Sequence, residues 1–240
     1  MQMAGWQFLA FAHDNLHLRK EMPKCAYVNV GTYRVLERGA NELNWIHTTA
    51  SDVEFDVDLD YTENVSFGNV CVGAGGGLAL GYWSNKNAQQ SETRSDFAAL
   101  TAWNLVTTQG TAQDFTGTIA QNRATLSTLL LGATTTNMAN MLSAELAAMK
   151  LTVLHSFVNG SAMIYAPGLS ACGTVGLNPQ GFISINDLMN AANQSLLNSP
   201  LTLDGSPDRA CQETLKNALD DANNNKNFTQ SSPCAFSFGD

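Results

Sequence analysis

Positive charge is scarce in this sequence: 12 Lys and Arg stand against 21 Asp and Glu in 240 residues, a net charge of −9. Without a Lys/Arg cluster there is no electrostatic footprint for nucleic acid, nor for an anionic membrane surface. No apolar run approaches the roughly 20 residues of a membrane span. Charged residues of either sign make up only 14%, where about 25% is usual. Their place is taken by 23 Asn, 11 Gln, 17 Ser and 21 Thr. An apolar fraction of 44% still builds a core, so the chain is not disordered. The opening Met1–Ala12 has no basic start and its apolar run stops at His13-Asp14, which makes it a poor signal peptide. Few lysines, abundant uncharged polar residues and 5 cysteines lead us to expect an extracellular or cell-surface protein.

The periodicity changes near residue 71. Before it the repeat is two, clearest in Asp52–Tyr61. There Asp52, Glu54, Asp56, Asp58 and Asp60 alternate with Val53, Phe55, Val57, Leu59 and Tyr61, which gives a strand one acidic and one apolar face. Thr32–Leu36, Tyr27–Val30 and Asn64–Val72 are further strand candidates, the last with Gly68 as a candidate bulge. Trp6–Phe11 is short, apolar and aromatic. After residue 77 the pattern turns helical. Helices are expected over Ser95 to about Thr107, Gln121–Leu131, Thr136 to about Phe157, Ser184 or Asn186 to Leu197, and from Ser206-Pro-Asp-Arg onward. The third carries an apolar stripe interrupted by Glu145. Residues 160–181, rich in Gly and Pro, read as a loop. Cys234–Phe238 alternates as a closing strand would. The expected architecture is α+β: a β-rich part over 1–70, then a mainly helical module over 71–240 with a closing C-terminal strand.

The acidic row is the clearest candidate for binding. Side chains two apart on a strand face lie about 7 Å from one another, so the row repels itself unless neutralised. Calcium, which takes 6–8 oxygen ligands in irregular cages, is one candidate for Asp52, Glu54, Asp56, Asp58 and Asp60. The other readings are a solvated face paired with Arg34, Arg38 or Lys24, or charge that protects a sheet edge. His13 and His17 share a helix spacing but lack the further ligands that zinc needs. His47 and His155 are isolated; His155 falls near a helix end, where a structural role is expected.

The glycine cluster Gly73–Gly81 has neither the Gly-Lys-Ser/Thr ending of a phosphate loop nor Rossmann spacing. Such density more often allows close backbone approach or positive φ. The run Cys71-Val-Gly-Ala-Gly-Gly-Gly-Leu-Ala-Leu-Gly-Tyr-Trp-Ser-Asn-Lys-Asn87 resembles an uncharacterised module of bacterial secreted and cell-surface proteins. Asn137–Met149 and Leu215–Asn225 extend the resemblance over about residues 70–240. It implies export and a folding unit, and carries no catalytic assignment. Within that module Cys71–Cys234 and Cys172–Cys211 are the proposed disulfides among fifteen two-bond arrangements, with Cys25 left over.

Tyr82 and Trp83, with Trp103, are candidates for a sugar-stacking platform with Asn85 and Asn87, although large aromatics beside a glycine turn are expected to fill core. Gly-x-Ser-x-Gly is absent, Ser170-Ala-Cys172 has no recognisable His or Asp partner, and a uniform acidic face separates no acid from a base. We therefore expect no catalytic residues and no enzyme. The leading expectation is an exported structural protein that assembles with copies of itself, as in a surface fibre, Trp6, Phe8 and Phe11 adding as a strand to a neighbour's edge. The alternative is a monomeric surface module for a glycan or host protein.

Overall fold

The computed structural model describes residues 6–8, 31–36, 45–58, 65–174 and 176–230. These fall into two compact units that meet between Val72 and Gly73, Gln230 counting with the first. The protein is α+β, with strands in the N-terminal part, helices after them and a short C-terminal strand.

The first unit is built from antiparallel strand pairs. β1 (Trp6–Phe8) pairs with β5 (Val65–Phe67), Trp6 opposite Phe67. β2 (Gly31–Leu36) pairs with β4 (Asp52–Val57) over six residues, Gly31 opposite Val57 and Leu36 opposite Asp52. β3 (Trp45–His47) pairs with β6 (Asn69–Gly73). The alternation along β4 is preserved: Asp52, Glu54 and Asp56 are exposed, while Val53, Phe55 and Val57 are half-buried. The strand ends at Val57, short of the expected Tyr61. Gly68 separates β5 from β6, its carbonyl accepting from Thr48 N at 2.8 Å and its N–H donating to Thr49 Oγ1 at 2.8 Å. A Cβ there would lie 2.5 Å from Thr48 Oγ1. The Tyr27–Val30 and Cys234–Phe238 strand candidates lie outside the described residues.

The second unit is organised around α5 (Met138–Leu154). Short α1 (Leu80–Trp83) and α2 (Lys86–Ser91) precede α3 (Arg94–Thr101) and α4 (Ile119–Gly132). After α5 come β7 (Met163–Tyr165), a 3-10 helix (Pro167–Cys172), β8 (Phe182–Ser184), α6 (Ile185–Asn198), α7 (Arg209–Asn223) and β9 (Phe228–Thr229). β7 pairs antiparallel with both β8 and β9. Residues 160–181, expected as loop, thus hold a strand and a helical turn; three-residue elements are too short to show periodicity.

Alpha5 differs from the expected single stripe. Ala139, Leu142, Ala144, Leu146, Ala147, Ala148, Met149 and Leu151 are all buried, so every face of the helix meets protein. A helix apolar all round is a central helix, and its small alanines admit α4, α6 and α7 closely. Alpha7 has the opposite character, with Leu215, Ala218, Leu219 and Ala222 on its buried side. Caps set the boundaries. Thr93, not Ser95, opens α3 through a reciprocal pair with Asp96, and Thr118 does the same for α4 with Gln121. Ser184 caps α6. Alpha7 has Asp208 before its first turn and no side-chain cap, so Ser206 serves through its carbonyl, accepting from Arg209 N at 3.1 Å.

Candidate functional site

The glycine cluster is a backbone clasp. Asn225, just after α7, adopts φ +61, and its Oδ1 accepts from the N–H groups of Gly75, Gly76 and Gly77 at 3.0, 2.9 and 2.8 Å. Its Nδ2 donates back to Gly77 O at 2.6 Å. Converging backbone N–H groups form a concavity suited to negative charge, and here an amide oxygen of the same chain fills it. Glycine is required because a Cβ on Gly76 would meet Phe157 O at 2.1 Å, and one on Gly77 would meet Ala222 O at 1.9 Å. Gly76 also has φ +95.

Of the aromatic residues that follow, Trp83 lies in the core. Trp83 is 0% exposed, and its Nε1 donates to Thr152 Oγ1 on α5 at 3.1 Å. Its ring packs against Tyr82, His155 and Phe157. Asn85 caps α2, its Oδ1 accepting from the N–H groups of Asn87 and Ala88. Trp103 is half-buried beneath Lys150, whose Nζ stands 4.6 Å from the ring centroid; burial lowers the Lys150 ammonium. Of the sugar-platform residues Tyr82, Asn85 and Asn87 stay exposed and Trp103 is half-buried, while the Trp83 indole is lost to the core.

Glu145 and Glu92 are buried acids of this unit that belong to no catalytic motif. Glu145 on α5 is 5% exposed. Its Oε2 accepts from Asn223 Nδ2 at 2.8 Å, and the same amide donates to Glu145 O at 3.1 Å. Burial pushes the Glu145 carboxyl up to about 7, against the Asn223 hydrogen bond and with help from Asp220. The break it makes in the apolar pattern of α5 is the signal for it. Glu92, between α2 and α3, is 2% exposed and stands near Arg123 on α4, Nε to Oε2 3.7 Å. No local pattern marks this pair, which is 31 positions apart with α3 and the connection to α4 between. Nearby, Asp96 Oδ2 accepts from Thr93 N at 2.7 Å and lies 3.1 Å from His155 Nε2. His155 thus ends α5 in a structural role.

On β4 the acids meet partners from β2. Arg34 grips Asp52 with Nε and one terminal nitrogen, and this hydrogen-bonded ion pair holds the Asp52 carboxyl below its ordinary range. Thr32 Oγ1 donates to Asp56 Oδ1 at 2.7 Å. Among the described residues no group of three or more His, Cys, Asp or Glu is placed to hold a metal ion. Asp58 is exposed beyond the end of the strand; Asp60, His13, His17, Lys24 and Arg38 lie outside the described residues.

Cys172, at the end of the 3-10 helix, is bonded to Cys211 on α7, with Cα atoms 5.5 Å apart. Cys71 is also disulfide-bonded; its proposed partner Cys234, like Cys25, lies outside the described residues. Ser170, near that disulfide, donates its hydroxyl to Pro167 O. A cleft of about 410 Å³ beside it is lined by uncharged residues, including Ser170, Thr174, Asn178 and Gln180. Trp6 and Phe8 lie on a strand paired within the chain, which is the alternative to donating that strand to a neighbour; Phe11 lies outside the described residues. No helix among the described residues is long and apolar enough to cross a membrane.

Compared with known proteins, the chain matches no family model, no curated protein and no solved structure.

Proposed function

We propose that this chain is an exported, non-enzymatic structural protein of the bacterial cell surface, and that it assembles with copies of itself through its β-rich unit. One observation carries the reading. The β2–β4 ribbon is a fully registered six-residue pair whose Val53, Phe55 and Val57 stay half-buried while the opposite face is acidic. Among the described residues the ribbon has two strands, which alone are marginal in water, and an edge of this length accepts another strand through main-chain hydrogen bonds. The exposed acids then select the approach, because like-charged faces repel and a partner copy must come along the edge. With Trp6–Phe8 engaged on β5, the ribbon edge replaces that segment as the joining surface. The Cys172–Cys211 bond fits an oxidising compartment outside the cell.

The surface-binding alternative has weaker support, since Trp83 is core and Asn85 is a helix cap. Calcium at Asp52, Glu54, Asp56, Asp58 and Asp60 remains a proposal.

Light scattering on size-exclusion fractions over a concentration series tests the assembly. Oligomers that grow with concentration, and that are lost in Phe55→Glu with circular dichroism unchanged, are the expected result. A wild-type protein that stays monomeric at every concentration overturns the reading.

A further inference from the structure

The Glu92 side chain is 0% exposed, and neither of its carboxyl oxygens has a hydrogen-bond partner among the described residues. A buried carboxylate in that situation is costly, whereas a neutral carboxyl is far less so. The adjacent cation does not relieve it. Arg123 Nε stands 3.7 Å from Oε2, beyond hydrogen-bond range, and is itself buried without a partner. The guanidinium is spent on backbone instead: a terminal nitrogen donates to Glu92 O at 2.9 Å and to Gln90 O at 3.4 Å. These carbonyls end α2, which has no glycine cap and turns at Glu92 with ψ 132.

The charged groups that act on Glu92 are Arg123 from α4 and Asp96 from α3. Asp96 is already committed to Thr93 N, Thr93 Oγ1 and His155 Nε2, the last from the end of α5. It neither neutralises Glu92 nor releases Arg123.

We propose that Glu92 and Arg123 form a proton-operated latch on the turn between α2 and α3: with Glu92 neutral, Arg123 clamps the Gln90 and Glu92 carbonyls, and when Glu92 gives its proton to solvent, Arg123 turns to the new carboxylate and lets them go. The move is short, because Nε has to travel only from 3.7 Å to the roughly 2.8 Å of a charge-assisted bond, and the planar guanidinium carries its terminal nitrogen off the carbonyls with it. Burial raises the Glu92 carboxyl to about 7, with Arg123 opposing and Asp96 adding to the rise, so the clamp is closed below neutrality and opens above it. The segment released is Lys86–Thr93, directly after the aromatic anchor Trp83.

Hydrogen–deuterium exchange on the full chain, corrected for intrinsic pH dependence, tests this at about pH 6 and about pH 8. Protection of peptides covering Lys86–Thr93 is expected to fall with rising pH, by up to about tenfold per pH unit above the transition. Glu92→Gln is expected to stay protected at both values, and Arg123→Gln to exchange quickly at both. Glu145 titrates in the same range but reports in peptides from α5 and α7, so the two acids are told apart. Wild-type protection of Lys86–Thr93 that does not change with pH, or a pH response that persists in a folded Glu92→Gln, overturns the latch. Should Glu92→Gln fail to fold, a wild-type pH response that survives in Arg123→Gln overturns it equally.

Discussion

Asn225 holds Gly77 by both ends of its side-chain amide: Oδ1 accepts from Gly77 N at 2.8 Å and Nδ2 donates to Gly77 O at 2.6 Å. The two residues are 148 positions apart, so this contact ties the start of the helical unit to its end. It also explains why Asn tolerates φ +61 there, since Asn and Gly pay least for the left-handed region.

Breaking the clasp is expected to be expensive. Asn225→Ala removes the acceptor shared by Gly75, Gly76 and Gly77 and adds backbone strain, a loss of about 2–4 kcal/mol. Asn225→Asp keeps the acceptor in a concavity that favours negative charge, so it is expected to cost less. Gly77→Ala is expected to be at least as damaging as Asn225→Ala, because its Cβ would sit 1.9 Å from Ala222 O. Urea unfolding of the three variants gives the order.

Stability is expected to fall as pH rises from about 4.5 to about 7. Burial raises the Glu145 carboxyl from an ordinary 4.5 to about 7 in the folded protein. The folded state therefore binds the proton more tightly, and the stabilisation is fully present below the unfolded value and lost as pH rises through the folded one. The upper bound is about 3 kcal/mol. Glu145→Gln keeps an acceptor for Asn223 without the charge, so its thermal midpoint is expected to vary less with pH and to exceed wild type at about pH 8. A wild-type midpoint that climbs over this window would contradict the assignment.

The Cys172–Cys211 bond closes a segment with a sequence separation of 39, for which chain entropy assigns about 4 kcal/mol. Cys172→Ser with Cys211→Ser is expected to lower the unfolding midpoint by that order. Thiol-reactive labelling of wild type without reductant is expected to leave both positions unmodified.

Trp83 is expected to fluoresce at short wavelength and to resist quenching by iodide, since its ring is 0% exposed. Trp83→Phe removes the bond to Thr152 and leaves a void beside α5, a loss of about 2–4 kcal/mol. Strong quenching of the component lost in Trp83→Phe would place the ring at the surface and revive the sugar-platform reading.

Legibility in the sequence followed the range of the interactions. The alternation Asp52–Val57 is a local pattern, and β4 appears where it does because one face is drier than the other. Alpha6 and α7 are amphipathic and were legible for the same reason. Alpha5 was legible as a helix but not as the central one, because its alanines at 139, 144, 147 and 148 read as neutral until α4, α6 and α7 are packed on them. Alpha1 and α2 span four and six residues, too few turns for a period to register. The glycines announced close approach without naming Phe157 O, Ala222 O or the Asn225 amide. Arg123 and Glu92 meet only after α3 and α4 are folded, so nothing near either residue marks the pair. Trp83 carried two readings, binding and core, and the hydrogen bond to Thr152 favours core.

Self-assembly is the central claim, and electron microscopy of the native protein, without tags on the β-rich unit, tests it most directly. Fibres or regular closed assemblies in wild type, replaced by single particles in Phe55→Glu, are the predicted result. Single particles in wild type at the highest attainable concentration would contradict it.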